Sequence, residues 1–180
     1  MNFLKPLACA FCLILFACSH QDNATEKQTS TRTHELNLNQ QTLLDLIQEK
    51  DSLLFDIGFN QLDTLQVAKL VSADFEFYHD EHGIIESKSS FIKSIIGIKE
   101  LPFKTWRVLQ EESMEVFPLY KENGQVLYGA IQNGIHEFYQ QPEGKDARKS
   151  SRARFTHLWI IEDGEWKLKR VLSYNHHLPN

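Results

Sequence analysis

Cysteine is confined to the first tenth of the chain, at Cys9, Cys12 and Cys18. No residue after Ser19 carries a thiol, so internal disulfides cannot hold the fold, and zinc patterns that need cysteine pairs are excluded. Five prolines and eight glycines in 180 residues exclude collagen-like and low-complexity chains. There is no basic block, and 24 acidic residues outnumber 19 basic ones for a net charge of −5, so a nucleic-acid partner has no electrostatic support. Only one apolar run approaches membrane length, which excludes a polytopic membrane protein. The phosphate loop, the dinucleotide fingerprint and the nucleophile elbow are all missing.

What is present begins with an address. Lys5 supplies a positive start, residues 7–16 form a short apolar stretch, and Ala17 is a small residue before a cleavage point, so residues 1–17 read as a secretion signal. The segment Leu15-Phe16-Ala17-Cys18 resembles a bacterial lipobox. That resemblance implies cutting before Cys18 and lipidation of its thiol. Residues 18–39 are polar and read as a tether. Loss of Lys5 leaves 18 basic against 24 acidic residues, a charge of −6. Such a domain suits hanging from a membrane by its lipid rather than lying flat on anionic headgroups. The expected location is therefore the bacterial cell envelope, with a soluble secreted or periplasmic form as the alternative.

Residues 40–180 are long enough for one sizeable core. Leu43, Leu44, Ile47, Leu54 and Phe55 recur at near-helical spacing and predict an amphipathic helix over 41–59, ending at Gly58. Asp63 caps a second short helix, and Ser87 or Ser89 a third that stops at Gly97. Strands follow. A hairpin is expected over 74–79 and 83–86, then one or two strands over 106–119 with Pro118 at an edge. A long strand over 125–140, a polar loop over 141–151, and a final hairpin of 152–161 and 165–174 complete the chain. Helices followed by mostly antiparallel strands indicate an α+β domain.

Four segments now carry a resemblance: Glu-Phe-Tyr-His-Asp at 76–80, Tyr128 to Tyr139, Phe-Thr-His-Leu-Trp at 155–159, and Arg170 to His176. With the helix order, they are similar to the SnoaL-like branch of the nuclear transport factor 2-like superfamily, and within it to a bacterial subgroup that carries Asp where this chain has Asn175. The resemblance implies a cone-shaped, cystatin-like α+β fold, with a strongly curved sheet packed on N-terminal helices. It also implies a pocket at the mouth or interior, and often a homodimer. Relatives include isomerases, cyclases and dehydratases as well as ligand-binding proteins.

Six histidines lie in predicted strands or turns: His79, His82, His136, His157, His176 and His177. Strand alternation places Tyr128, Gln132, His136 and Phe138 on one face of the long strand, and Phe155, His157 and Trp159 on one face of the next. It places Leu168, Arg170, Leu172, Tyr174 and His176 together on the last. The candidate acid–base residues are His79, Asp80, His136 and His157; an imidazole titrates near neutrality and Asp80 can orient one. The candidate ligand-binding residues are Tyr128, Phe155, Trp159, Arg170, Tyr174 and His176, aromatic bodies with a few polar heads. The bland alternative is that all of these are core or rim residues whose polar tips bond one another. For metal, His79-x-x-His82 straddles a turn, and His176 and His177, as strand neighbours, point to opposite faces; neither a metal nor a cofactor is expected. The expected partners are a small-molecule ligand and a second copy of the chain. Two functions remain: a ligand-binding or accessory module, which is favoured, and an isomerase, lyase or hydrolase using a pocket histidine as general base.

Overall fold

The computed structural model describes residues 39–178. The secretion signal, Cys18 and nearly all of the tether lie outside the described residues. Asn39 caps α1 (Gln40–Ser52), its side chain accepting from the Thr42 N–H at 2.7 Å. The helix then widens into a π-helical stretch, Leu53–Phe59, so the single predicted helix is two segments. Asp63 caps α2 (Thr64–Leu70) by accepting from the N–H groups of Leu65 and Gln66. Ser87 caps α3 (Lys88–Gly97) through the Ser90 N–H. Each cap satisfies amides that a helix start leaves without partners.

Seven strands form one sheet: β1 (Val71–His79), β2 (Gly83–Ile85), β3 (Phe103–Leu109), β4 (Glu115–Lys121), β5 (Val126–Pro142), β6 (Arg148–Glu162) and β7 (Glu165–His177). The order is β2-β1-β7-β6-β5-β3, with β4 also paired to β5. Every pairing is antiparallel except β1 with β7, which is parallel. Pro118 sits in β4, an edge strand, where its missing N–H breaks no inner ladder. The polar loop predicted over 141–151 is shorter than expected, because β5 runs to Pro142 against β3 and β6 begins at Arg148.

The helices cover one face of the sheet. Leu43, Ile47 and Leu54 pack with Val67 and Leu70 of α2, and with Phe91 and Ile95 of α3. These meet Phe75, Val116, Ala130, Trp159, Leu168 and Val171 from the strands. No helix among the described residues is long and apolar enough to cross a membrane.

Register decides which side chains enter this space. On β5 and β6 the predicted alternation holds: Gln132, His136, Phe155, His157 and Trp159 are buried. On β7 it fails. Trp159 pairs with Leu168 but Leu158 pairs with Arg170, which leaves Lys169 as an extra residue. That bulge reverses the alternation, as a bulge does. Val171 and Ser173 therefore point inward, while Leu172 and Tyr174 are exposed. A second extra residue lies between Tyr174 and His177, where Asn175 takes φ 58° and returns His176 to the inner side. A further bulge lies opposite the Leu119–Tyr120 step, and Tyr128, expected inside, is exposed there.

Candidate functional site

Asp51 lies one helical turn after Ile47 on the buried stripe of α1, a carboxylate where an apolar side chain is expected. Arg107 of β3 meets it with both terminal nitrogens: Nη1 donates to Oδ2, and Nη2 to Oδ1 at 3.2 Å. Gln132 Nε2 donates to the same Oδ1 at 2.9 Å. The guanidinium carbon lies 4.0 Å from the centroid of Phe55. Asp51 and Arg107 are only 2% and 1% exposed, so the pair has almost no help from water and depends on these partners.

Donor chemistry fixes the protons of the neighbouring imidazoles. Trp159 Nε1 can only donate, and it donates to Gln132 Oε1 at 2.8 Å. His157 Nδ1 lies 3.0 Å from the same oxygen and must also donate. His157 is therefore the Nδ1–H tautomer, and its buried Nε2 makes no hydrogen bond among the described residues. Arg107 Nε likewise only donates, to His136 Nδ1 at 3.4 Å. His136 Nε2–H then donates to Ser173 Oγ at 3.1 Å. The Ser173 hydroxyl is free to donate to His176 Nε2 at 3.3 Å, and His176 Nδ1–H donates to Asp80 Oδ1 at 2.5 Å. A directed chain of donors thus runs from the buried guanidinium to a carboxylate at the rim.

Burial, then the Arg107 charge, hold both His136 and His157 well below the ordinary imidazole range, so both are neutral. At the rim, His79 stacks on His176 with ring centroids 4.2 Å apart, and its Nδ1 lies 3.4 Å from Asp80 Oδ1. His82 Nδ1 is 3.3 Å from both ring nitrogens of His79. Burial, then the neighbouring imidazoles of His176 and His82, lower the pKa of His79. Partial desolvation opposes ionisation of Asp80, but the backbone N–H and imidazole of His176 outweigh it and keep its pKa below the usual value.

The predicted residues therefore separate into three groups. His136, Phe155, His157 and Trp159 line the buried interior. His79, Asp80 and His176 meet at the rim, and Ser173 links the two groups. Arg170 and Tyr128 belong to neither, and Tyr174 only borders the rim from the outer face. Arg170 pairs with Glu76 at 2.9 Å across β1, and Tyr174 is exposed on the face opposite Ser173. The expectation that they share the pocket of His136 and His157 is corrected by the β7 bulge and the Tyr128 bulge. The pair that straddles the turn, His79 and His82, is brought together: the tight β1–β2 turn folds one ring against the other. His177 does point away, its Nδ1 meeting the Asn175 carbonyl.

Sequence reasoning missed Asp51, Arg107 and Ser173. Only Asp51 left a signal, as the polar residue on an apolar stripe.

Two surface concavities flank this system. The larger, about 1150 Å³, runs past Leu62, Leu101 and Trp106 to Gly144 and contains none of the predicted site residues. The smaller, about 270 Å³, is lined by Tyr78, Ile84, Leu172 and Tyr174 together with His79, Asp80 and Ser173. Titratable groups in contact with one another gather at the smaller one, which makes it the better candidate site.

No family model and no curated protein sequence matches the chain. Solved structures do. A nuclear transport factor 2-like superfamily protein from Salmonella enterica superposes with a TM-score of 0.59 at 14% identity, over 79% of this chain and 94% of that one. A nuclear transport factor 2-like protein with a cystatin-like fold from Novosphingobium aromaticivorans gives 0.57 at 10% identity, over 86% and 90%. The fold is nuclear transport factor 2-like. A candidate β subunit of an aromatic-ring-hydroxylating dioxygenase from the same organism also shares it, with a TM-score of 0.60 at 9% identity, over 78% of this chain and 92% of that one. Identities this low speak for the fold and not for the reaction.

Two predictions follow from the buried network. Arg107→Met strands the Asp51 carboxylate and is expected to lower stability by about 3–5 kcal/mol, whereas Asp51→Leu combined with Arg107→Met recovers much of that loss. Urea unfolding of both variants checks it. The second concerns pH. In the unfolded chain His136 and His157 titrate near the ordinary 6.5, while in the folded chain they stay neutral well below it. Above that value neither state holds the protons and stability is full. As pH falls below it, the unfolded chain takes up protons the fold refuses, and stability drops by up to about 1.4 kcal/mol per pH unit for each imidazole. Unfolding curves between about pH 6.5 and 5 should show this slope, and His157→Gln should flatten it.

Proposed function

We propose that this chain is a bacterial envelope lipoprotein of the SnoaL-like branch. In this reading lipid on Cys18 anchors it, and its nuclear transport factor 2-like domain takes a small, partly apolar ligand at the rim as a binding or accessory module. The lipobox-like segment and the polar tether support the anchor. One observation carries the choice of site. The interior polar groups are almost all spent on one another, whereas His79 and Asp80 keep some exposure beside an apolar groove of about 270 Å³, with the nearly buried His176 bonded to Asp80 behind them. A site with a few convergent polar groups and an apolar wall is what a small ligand needs. The exposed Phe117, Tyr120, Val126 and Tyr128 of β4 and β5, outside that groove, support pairing with a second copy.

A catalytic reading has one specific support. Ser173 Oγ, His176 and Asp80 form a hydroxyl–imidazole–carboxylate series, with the imidazole oriented by the carboxylate. In that reading His176 is the general base of a hydrolase, isomerase or lyase. Ser173→Ala then abolishes turnover while leaving ligand affinity largely intact.

A thermal-shift screen of small amphiphilic molecules tests the binding site. A ligand at a hundred times its Kd should stabilise the protein by about 2.7 kcal/mol. Asp80→Asn and His176→Ala should lose that shift; a shift that survives both substitutions places the ligand elsewhere. For the anchor, Cys18→Ser should move the protein from the membrane fraction to the soluble fraction, read by fractionation and by loss of incorporated labelled fatty acid.

A further inference from the structure

The rim gathers four side chains of metal-ligand type from two strands and one turn. Donor atoms of His79, Asp80 and His176 all lie within 4.8 Å of one another. His82 adds a fourth, its Nδ1 3.3 Å from the His79 ring nitrogens. A tetrahedral ion with bonds of roughly 2.0–2.2 Å holds its ligand atoms about 3.3–3.5 Å apart. His79 Nδ1 accepts from the Glu81 N–H at 3.1 Å, which leaves Nε2 for an ion, and the 3.3 Å between His79 Nε2 and His82 Nδ1 matches that spacing. We infer that His79, Asp80 and His176, with His82 as the fourth donor, form a binding site for one divalent transition-metal ion. This inference rests on the reading of the rim as the functional site, and it adds a metal ion to that site.

The surroundings are those of a prepared site. Ser173 holds His176 Nε2, which leaves Nδ1 as the nitrogen facing Asp80, and His136 holds Ser173 from behind. Metal-bound histidines use such outer partners to fix tautomer and ring direction. The left-handed turn at Asn175 is what brings His176 to the rim at all. For His176 Nδ1 to bind an ion, the ring proton must move to Nε2, which then donates to Ser173 Oγ, and the ion takes the place that the proton held beside Asp80. The stacked rings of His79 and His176 lie 12° from parallel, so one ring must turn for both to reach the ion. Three imidazoles and one carboxylate select Zn²⁺, Co²⁺, Ni²⁺ or Cu²⁺ over Mg²⁺ and Ca²⁺, which prefer all-oxygen shells.

The test is metal titration of the full chain, stripped with a chelator and produced without an oligohistidine tag. Calorimetry with ZnCl₂ should give one equivalent per chain, and CoCl₂ should give the visible bands of tetrahedral Co²⁺. MgCl₂ and CaCl₂ should give neither. His79→Ala and His176→Ala should weaken Zn²⁺ binding at least about tenfold, and Ser173→Ala by a similar factor through its lost hydrogen bond to His176. His177→Ala should leave it unchanged. Circular dichroism identifies any variant that fails to fold, and Asp80→Asn then serves as the conservative substitute. The inference is overturned if the wild type takes up no stoichiometric Zn²⁺, or if binding survives loss of both His79 and His176. An amphiphile shift that disappears in His176→Ala, with no metal response in the wild type, overturns the metal site and leaves the binding function standing.

Discussion

The ion pair between Asp51 and Arg107 organises the interior. A carboxylate and a guanidinium this deeply buried each lose several kcal/mol of hydration, and their mutual attraction offsets that only if their remaining donors and acceptors are used. Here they are used. Gln132 supplies a further donor to Asp51, Phe55 covers the guanidinium face, and His136 accepts the third Arg107 nitrogen. One pair therefore ties α1 to β3 and, through Gln132 and His136, to β5. The side-chain amide of Asn60 adds a backbone clamp, accepting from the Arg107 N–H and donating to its carbonyl. A pair of this kind adds less to net stability than to the choice of one register over its neighbours, because a one-residue slip of β3 would leave both charges unpaired.

The same constraint directs the chemistry outward. Because arginine and tryptophan can only donate, each imidazole next to them has no choice of tautomer. Protons are ordered in one direction, from Arg107 through His136, Ser173 and His176 to Asp80. The buried half of this chain holds a paired guanidinium and a neutral imidazole, both engaged, which suits support rather than reaction. The outer half ends in a partly exposed carboxylate against a nearly buried His176, with the partly exposed His79 stacked on it. The interior histidines thus look like a catalytic set by composition and act as a scaffold by position, holding the rim in shape.

The rim also shows how small backbone features move chemistry about. Lys169 as an extra residue turns Arg170, Leu172 and Tyr174 to the outer face and brings Ser173 inward. Asn175 in the left-handed region restores His176 to the inner side. Asn tolerates this conformation better than most residues, since its short polar side chain bonds locally. Ser173 and His176, three positions apart, can share one site only because of that second irregularity.

Much of the architecture was legible in the sequence for local reasons. The caps at Asp63 and Ser87, the hairpin turn at Asp163 and Gly164, and the alternation on β5 and β6 all follow from preferences that act within a few residues. So did the grouping of Gln132 with His136 and of His157 with Trp159 on shared faces, since parity within a regular strand is a covalent matter. The rest needed tertiary structure. A bulge is set by how one strand fits its partner, so the outward turn of Arg170 and Tyr174 left no mark in the sequence. The meeting of His79, Asp80 and His176 depends on β1 running parallel beside β7, a pairing between segments about ninety residues apart. By itself the sequence determined which side chains were available and, within each regular strand, which shared a face. Only the packing of one strand on another decided which of those faces met, because register is a property of pairs.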